Sequence, residues 1–202
     1  MRYTMGNTTN EMNSIFSDFQ LEKFLNQVFT KIGLSPEEAT IASAGLLIAD
    51  LRGIDSHGVA RLSGYVRLWE KKRINSKALV KVIHETPTTA TMDGDAGLGL
   101  IVAPKAMTLA IEKAKIYGSG WVSVQNSNHF GIAAAHAMMA LEHDMIGIAM
   151  TNASPLVAPT FANERLLGTN PMCFAIPGGK HPAIVVDMAT SAAANGKLEI
   201  AQ

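Results

Sequence analysis

The stretch ATMDGDAGLGLIVAPKAMTLAIEKAKIYGSGWVSVQ, residues 90–125, sets the fold class. Its first part runs from a Thr-rich segment into Asp93-Gly94-Asp95-Ala96-Gly97, which reads as the turn closing a short strand. A helix is expected over 103–117, closed by Gly118 and Gly120, and residues 121–125 read as a buried strand. Strand, helix and strand in succession make this part α/β. Downstream, 131–143 reads as a helix rich in Ala and Met, 145–151 as a strand, and 152–170 as a long polar loop. Two more strands are expected at 174–177 and 183–187. Ser191 onward reads as the start of a helix that reaches Gln202 without a cap, the pattern of a chain truncated at its C-terminus.

Upstream the texture is helical. Leu21, Phe24, Leu25, Val28, Phe29 and Ile32 recur at three- and four-residue steps, and Gly33 stops the run. Ser35-Pro36-Glu37-Glu38 supplies an N-cap, an N1 proline and an acidic first turn for a helix over 36–51, with Gly53 as its stop. Asp55 or Ser56 then caps a third helix whose apolar face carries Val59, Leu62, Val66 and Trp69. Val80, Val82 and the segment 86–91, broken by Pro87, mark the change to short strands after Asn75. The expected organisation is a flexible leader at 1–15, a helical unit at 16–75 and an α/β unit at 76–202.

Composition narrows the function classes. The 202 residues hold 17 Lys+Arg against 17 Asp+Glu, a formal net charge of +0. Nucleic-acid and polybasic membrane binders need clustered, uncompensated positive charge, so neither class fits. With 48% hydrophobic and 17% charged residues and a mean hydropathy of +0.15, the chain can bury a core. One cysteine, Cys173, excludes an intrachain disulfide and any multi-cysteine metal site. No run approaches the ~18 apolar residues of a membrane span. The expectation is a soluble, cytoplasmic protein.

Three constellations carry chemistry. In Arg52-Gly53-Ile54-Asp55-Ser56-His57-Gly58-Val59-Ala60-Arg61, a helix from Ser56 puts His57 and Arg61 on one face, with Tyr65 a turn beyond. Arg clamps carboxylates in bidentate fashion and His transfers protons near neutrality, so the row suits a small carboxylate substrate. The alternative is that Asp55 and Ser56 only cap the helix while His57 and Arg61 face solvent. In Asn126-Ser127-Asn128-His129-Phe130-Gly131, His129 sits at a strand-to-helix corner, where ligands meet side chains and free N–H groups. A loop histidine held by Asn caps explains it equally. Finally, Thr151-Asn152-Ala153-Ser154-Pro155, Gly168-Thr169-Asn170-Pro171 and Val186-Asp187-Met188-Ala189-Thr190 form three polar loops able to converge at one sheet edge. They suit the phosphates and riboses of a nucleotide, and ordinary turn chemistry also accounts for them.

Other signals are weaker. Gly94, Gly97 and Gly99 stand in the wrong order for the dinucleotide fingerprint, which argues against a Rossmann site. His129, His136 and His143 recur every seven residues without carboxylate partners, so no metal site is expected. Cys173 reads as a core residue.

Taken in order, LRGIDSHGVARLSGY (51–65), NSNHFG (126–131), TNASPLVAP (151–159), GTNP (168–171) and VDMATS (186–191) resemble the malate/L-lactate dehydrogenase family of non-Rossmann NAD(P)-dependent oxidoreductases. The resemblance implies a largely antiparallel mixed sheet flanked by helices and a hydride transfer between NAD or NADP and C2 of a small 2-hydroxy/2-oxo acid, malate or lactate being typical. It makes His129 the proton donor/acceptor, with His57 and Arg61 orienting the substrate carboxylate and Ser56 and Tyr65 beside them. Ser154, Asn170, Asp187, Met188 and Ala189 fall on the cofactor-contacting loops. It further implies a homodimer, with 16–75 part of a substrate and dimerisation domain and 76–202 an incomplete cofactor domain. The competing class is a catalytically idle domain that binds a nucleotide or a partner subunit.

Overall fold

A computed structural model describes residues 15–192; the leader, apart from Ile15, and the helix expected from Ser191, apart from residues 191 and 192, lie outside them. Helix α1, Asp18–Lys31, opens on a reciprocal cap in which Ser17 Oγ accepts the Gln20 N–H and Gln20 Oε1 accepts the Ser17 N–H. Helix α2, Pro36–Leu51, starts as expected, with Ser35 Oγ accepting the Glu38 N–H at 3.2 Å and proline at the first position. Leu25, Phe29 and Ile32 of the α1 end pack on Ala39, Ala42 and Leu46 of α2. Burying one such large side chain contributes roughly 1.5–3 kcal/mol.

The third helix differs from its expectation. Two separate 3₁₀ turns, Asp55–His57 and Val59–Arg61, precede α3, Leu62–Glu70. The break falls at Gly58 because the Asp50 carboxylate occupies the space that a Cβ there would need. Asp50 Oδ2 accepts the Val59 N–H at 2.8 Å and so caps the second turn. Leu62 and Tyr65 of α3 complete the first core, which also recruits Leu98, Leu100 and Ile101 from the α/β part.

Strands β1, Lys81–Glu85, and β2, Thr89–Gly97, pair antiparallel, and β2 pairs parallel with β3, Trp121–Ser127. The expected turn at 93–97 is instead a distorted end of β2. Its register with β3 shifts between Asp93 and Gly97, where Asp95 and Ala96 take φ of 50° and 53°. Asp93 Oδ1 holds the distortion by accepting the Asp95 N–H at 2.8 Å and an Asn126 side-chain N–H at 3.0 Å. Helix α4, Gly99–Tyr117, begins earlier than the expected 103 because Leu98, Leu100, Ile101 and Val102 are all core residues. Gly118 closes it with φ 83°. Strand β3 is not buried as expected; Trp121 is 53% exposed and Val124 38%.

The segment expected to be one helix over 131–143 holds a five-residue helix, α5, Ala133–Ala137, and then a 3₁₀ run, Met138–His143. Strands β4 (Gly147–Met150), β5 (Met172–Ile176) and β6 (Ile184–Met188) form an antiparallel sheet in that order. The architecture is thus mixed α/β and largely antiparallel as expected, with the strands divided between two three-stranded sheets. Small side chains (Ala133, Ala134, Ala137, Ala149, Cys173, Ala175) build the second core and let α5 lie close on β4 and β5. Among the described residues no helix is long and apolar enough to cross a membrane.

Gly99 controls where the loop after β3 can lie. A Cβ on it would run into the carbonyl oxygens of Asn128 and His129. Overpacking of this kind costs about 1–3 kcal/mol. Gly99→Ala is therefore expected to lower the urea midpoint by a corresponding amount; a midpoint equal to wild type would show that the 128–129 backbone yields freely.

Candidate active site

The loop that carries His129 is fastened by its neighbours. Asn128 Nδ2 donates to the Ala96 and Gly97 carbonyls at 2.8 and 3.1 Å, tying the loop to the distorted end of β2. On the other side, His136 of α5 is buried with its Nε2 2.8 Å from the Phe130 carbonyl, and the two rings lie 4.8 Å apart. The carbonyl can only accept, so His136 Nε2 carries a proton. Burial pushes the pKa of His136 down, with the Phe130 bond and Asp187 opposing it.

Tyr65, on α3 and only 3% exposed, reaches across to this loop, 64 residues away in sequence. Its hydroxyl lies 2.6 Å from His129 Nδ1, and the Gly131 N–H donates to the same nitrogen at 3.3 Å. The His57 ring stacks near His129 with centroids 5.7 Å apart and planes at 27°. Ser56, itself buried, has its Oγ 2.9 Å from His57 Nδ1, and Arg61 Nε donates to the Ser56 carbonyl. The helix-face argument from Ser56 fails with Gly58, yet the two 3₁₀ turns still bring Ser56, His57, Arg61 and Tyr65 to His129.

Burial in the surrounding protein, then His57, then Arg61 disfavour the imidazolium and push the His129 pKa down to about 4. His129 nevertheless keeps an exposed edge. With Nδ1 engaged, that edge is the one a ligand can meet. Burial pushes the Tyr65 phenol well above its ordinary value, while Arg61 and the Gly131 N–H pull it back. An anionic oxygen placed here would meet Arg61 and two imidazoles.

The other expected residues gather at the β4–β6 sheet. Asn170, at φ 35°, accepts the Ala153 N–H on Oδ1 at 3.0 Å, and the Thr169 carbonyl accepts both the Thr190 N–H at 2.8 Å and its hydroxyl at 3.0 Å. The three polar loops thus meet at one edge, with Ser154 and Met188 exposed and Ala189 half-buried beside them. Asp187 turns to the start of α5, where its Oδ2 accepts the Ala134 N–H at 2.8 Å. It also lines a cavity of about 430 Å³ together with Leu51, Arg52, Ile54, Ala134 and Val185. Asp50, Asn128 and Gly131 position the site without having been singled out. Asn128 lay in plain view between Ser127 and His129, but its partners, two carbonyls of the β2 distortion, are set by tertiary structure.

Comparison with known proteins follows the same lines. A profile of the malate/L-lactate dehydrogenase family matches residues 16–202. The chain is 51% identical over 181 residues to the malate dehydrogenase of Pyrococcus abyssi, covering 90% of this chain and 50% of that protein. It is 44% identical over 177 residues to the L-sulfolactate dehydrogenase of Methanocaldococcus jannaschii, covering 88% and 51%. Among solved structures, malate dehydrogenase from Pyrococcus horikoshii superposes with a TM-score of 0.88 at 49% identity, over 90% of this chain and 52% of that one. The chain belongs to the malate/L-lactate dehydrogenase family. It spans about half the length of the curated relatives it matches.

The depressed His129 pKa fixes the sign of a pH effect. An unfolded His titrates near its ordinary 6.5, so between there and about 4 the unfolded chain binds the extra proton and the folded one does not. Stability is therefore expected to fall as pH drops through that window. The exposed edge of the ring is screened by solvent, which holds this contribution to about 1 kcal/mol. Denaturant titrations at several pH values should show His129→Asn flattening part of the slope; an identical slope in the variant would mean that folding leaves the His129 pKa at its unfolded value.

Proposed function

We propose that the protein is an NAD(P)-dependent 2-hydroxy acid dehydrogenase, with a small 2-oxo/2-hydroxy acid as substrate. The observation that carries this reading is the Tyr65–His129–His57–Arg61 cluster, assembled from segments 64 residues apart around an accessible imidazole edge. Malate and sulfolactate, for which relatives are named, both place an acid group next to the reacting carbon. Arg61 and His57 hold that acid group, Ser56 fixes the His57 ring through Nδ1, and His129 exchanges the proton with the C2 oxygen.

The cofactor side rests on a fit that the chain itself provides. Three polar loops, holding Ser154, Asn170, Met188 and Ala189, are joined by hydrogen bonds at one sheet edge. The cavity beside Asp187 is also lined by Arg52 and falls in the size range of small-molecule sites. These residues would hold parts of a nicotinamide dinucleotide, Asp187 being suited to sugar hydroxyls and the small loop side chains to phosphate. When bound, the nicotinamide supplies or takes the hydride at C2. A cytoplasmic homodimer, with 16–75 serving substrate binding and dimerisation and 76–202 the cofactor, completes the proposal and rests on the family resemblance.

The test uses the protein expressed from its complete coding sequence. Oxidation of NADH and of NADPH is followed by absorbance against oxaloacetate, pyruvate, glyoxylate derivatives and cyclic imino acids. Turnover with a 2-oxo acid is expected; a folded protein silent across the panel, yet binding nucleotide, would make it the idle binding domain instead. His129→Asn should lower kcat by about 10²–10⁴-fold while cofactor still binds. Arg61→Ala should act mainly on KM for the acid, and an unchanged KM would remove the carboxylate clamp.

A further inference from the structure

A histidine nitrogen facing a backbone amide declares its protonation state. The Gly131 N–H can only donate, and it points at His129 Nδ1 from 3.3 Å, so Nδ1 carries a lone pair and the ring proton of the neutral imidazole sits on Nε2. The Tyr65 oxygen, 2.6 Å from the same Nδ1, must then donate its own proton there, since two acceptors would repel at that distance. The buried phenol is thus aimed at the nitrogen on the far side of the ring from the edge a substrate can meet. A neutral imidazole that gives up its Nε2 proton needs one at Nδ1 to avoid becoming an anion. Tyr65 is the group in place to deliver it.

We infer that Tyr65 is the proton source behind His129, so that a two-step shift through the ring, from the Tyr65 hydroxyl to Nδ1 and from Nε2 to the substrate oxygen, completes the reduction of a 2-oxo acid. The inference rests on the dehydrogenase reading above. In the reducing direction, a reduced nicotinamide, when bound, would supply the hydride for the C2–H bond, and the carbonyl π pair would pass to oxygen. The oxygen takes the Nε2 proton, and Nδ1 takes the phenolic one. This leaves a neutral ring protonated on Nδ1 and a Tyr65 phenolate. After the product leaves, Nε2 takes a proton from water and Nδ1 returns its proton to the phenolate, so one proton is drawn from solvent per turnover. Burial makes ionising Tyr65 costly on balance, and the positive charge of Arg61 and the Gly131 N–H offset part of that cost while the phenolate exists in passing. The low pKa of His129 agrees with a ring that works as a neutral donor and not as an imidazolium. An analogous use of neutral imidazole as an electrophile is known in enzyme catalysis.

The role differs from a substrate contact in what its loss would do. Tyr65→Phe keeps the ring in the core and removes only the hydroxyl. It should lower kcat for reduction by about 10²-fold or more while KM for the acid changes little. Wild-type kcat should be flat from about pH 5 to 8, whereas Tyr65→Phe, obliged to use the imidazolium, should gain activity as pH falls. In parallel, ¹⁵N NMR of the imidazoles, needing no substrate, should show His129 neutral and protonated on Nε2 across that range. A His129 protonated on Nδ1, a variant that raises only KM, or a loss of kcat without the new pH dependence would each overturn the relay while leaving a dehydrogenase. A wild-type protein without turnover on any 2-oxo acid would remove the dehydrogenase reading and the relay with it.

Discussion

The hydrogen bond from Tyr65 to His129 Nδ1 is the contact on which the candidate site depends, because it joins the helical part of the chain to the α/β part at the point of chemistry. Each side reaches the other only through a local departure from regular structure. On the helical side, Asp50 takes the space beside Gly58 and caps Val59, splitting what would be one helix into turns that aim Ser56, His57 and Arg61 inward. On the α/β side, the left-handed turn at Asp95 and Ala96 presents the Ala96 and Gly97 carbonyls, which Asn128 captures. Gly99 lets the captured backbone pass across the start of α4. Strain at Asp95 and Ala96 costs free energy that the Asp93 and Asn128 bonds offset.

Charge then decides what the assembled groups can do. Arg61 and His57 stand close to His129 and, after burial, disfavour its protonation. Asp50, which lies near, is engaged by the Val59 N–H, and burial together with Asp55 raises its own pKa. The central imidazole is therefore held neutral beside the Arg61 guanidinium. A guanidinium beside a neutral imidazole offers an anionic group a charged partner and a hydrogen-bonding ring in one place.

Much of this frame was legible in the sequence where local chemistry decides the outcome. Ser17, Ser35 and Pro36 start helices for reasons contained within four residues, and Gly118 ends one. What escaped was set at a distance. Gly58 looks harmless within Ser56–Arg61, and only the packing of Asp50 makes it a break. Trp121, Val122 and Val124 read as buried because they are apolar, yet among the described residues β3 pairs only with β2, and Trp121 and Val124 stand exposed. The run 131–143 has helical composition, but it lies in 3₁₀ form after Ala137. The residues of the acid–base cluster were visible as types and spacings; the Nδ1 of His129 as a shared acceptor was not, since it needs Gly131 and Tyr65 in one place.

The relation between the two halves of the site follows from the shortest helix. Among the described residues the two sheets share no ladder, so backbone pairing does not register β4–β6 against the His129 loop. Helix α5 does so with two side-chain bonds. At its start the Ala134 amide is held by Asp187 of β6, and its His136 reaches back to the Phe130 carbonyl, one residue from His129. A carboxylate at the first turn of a helix satisfies an otherwise open N–H, and a five-residue helix has few such groups to spare. Moving Asp187 by even a fraction of the bond would therefore be passed through α5 to the imidazole. Asp187 in this way acts on both sides, lining the cavity beside Arg52 and, through α5, bearing on where His129 stands.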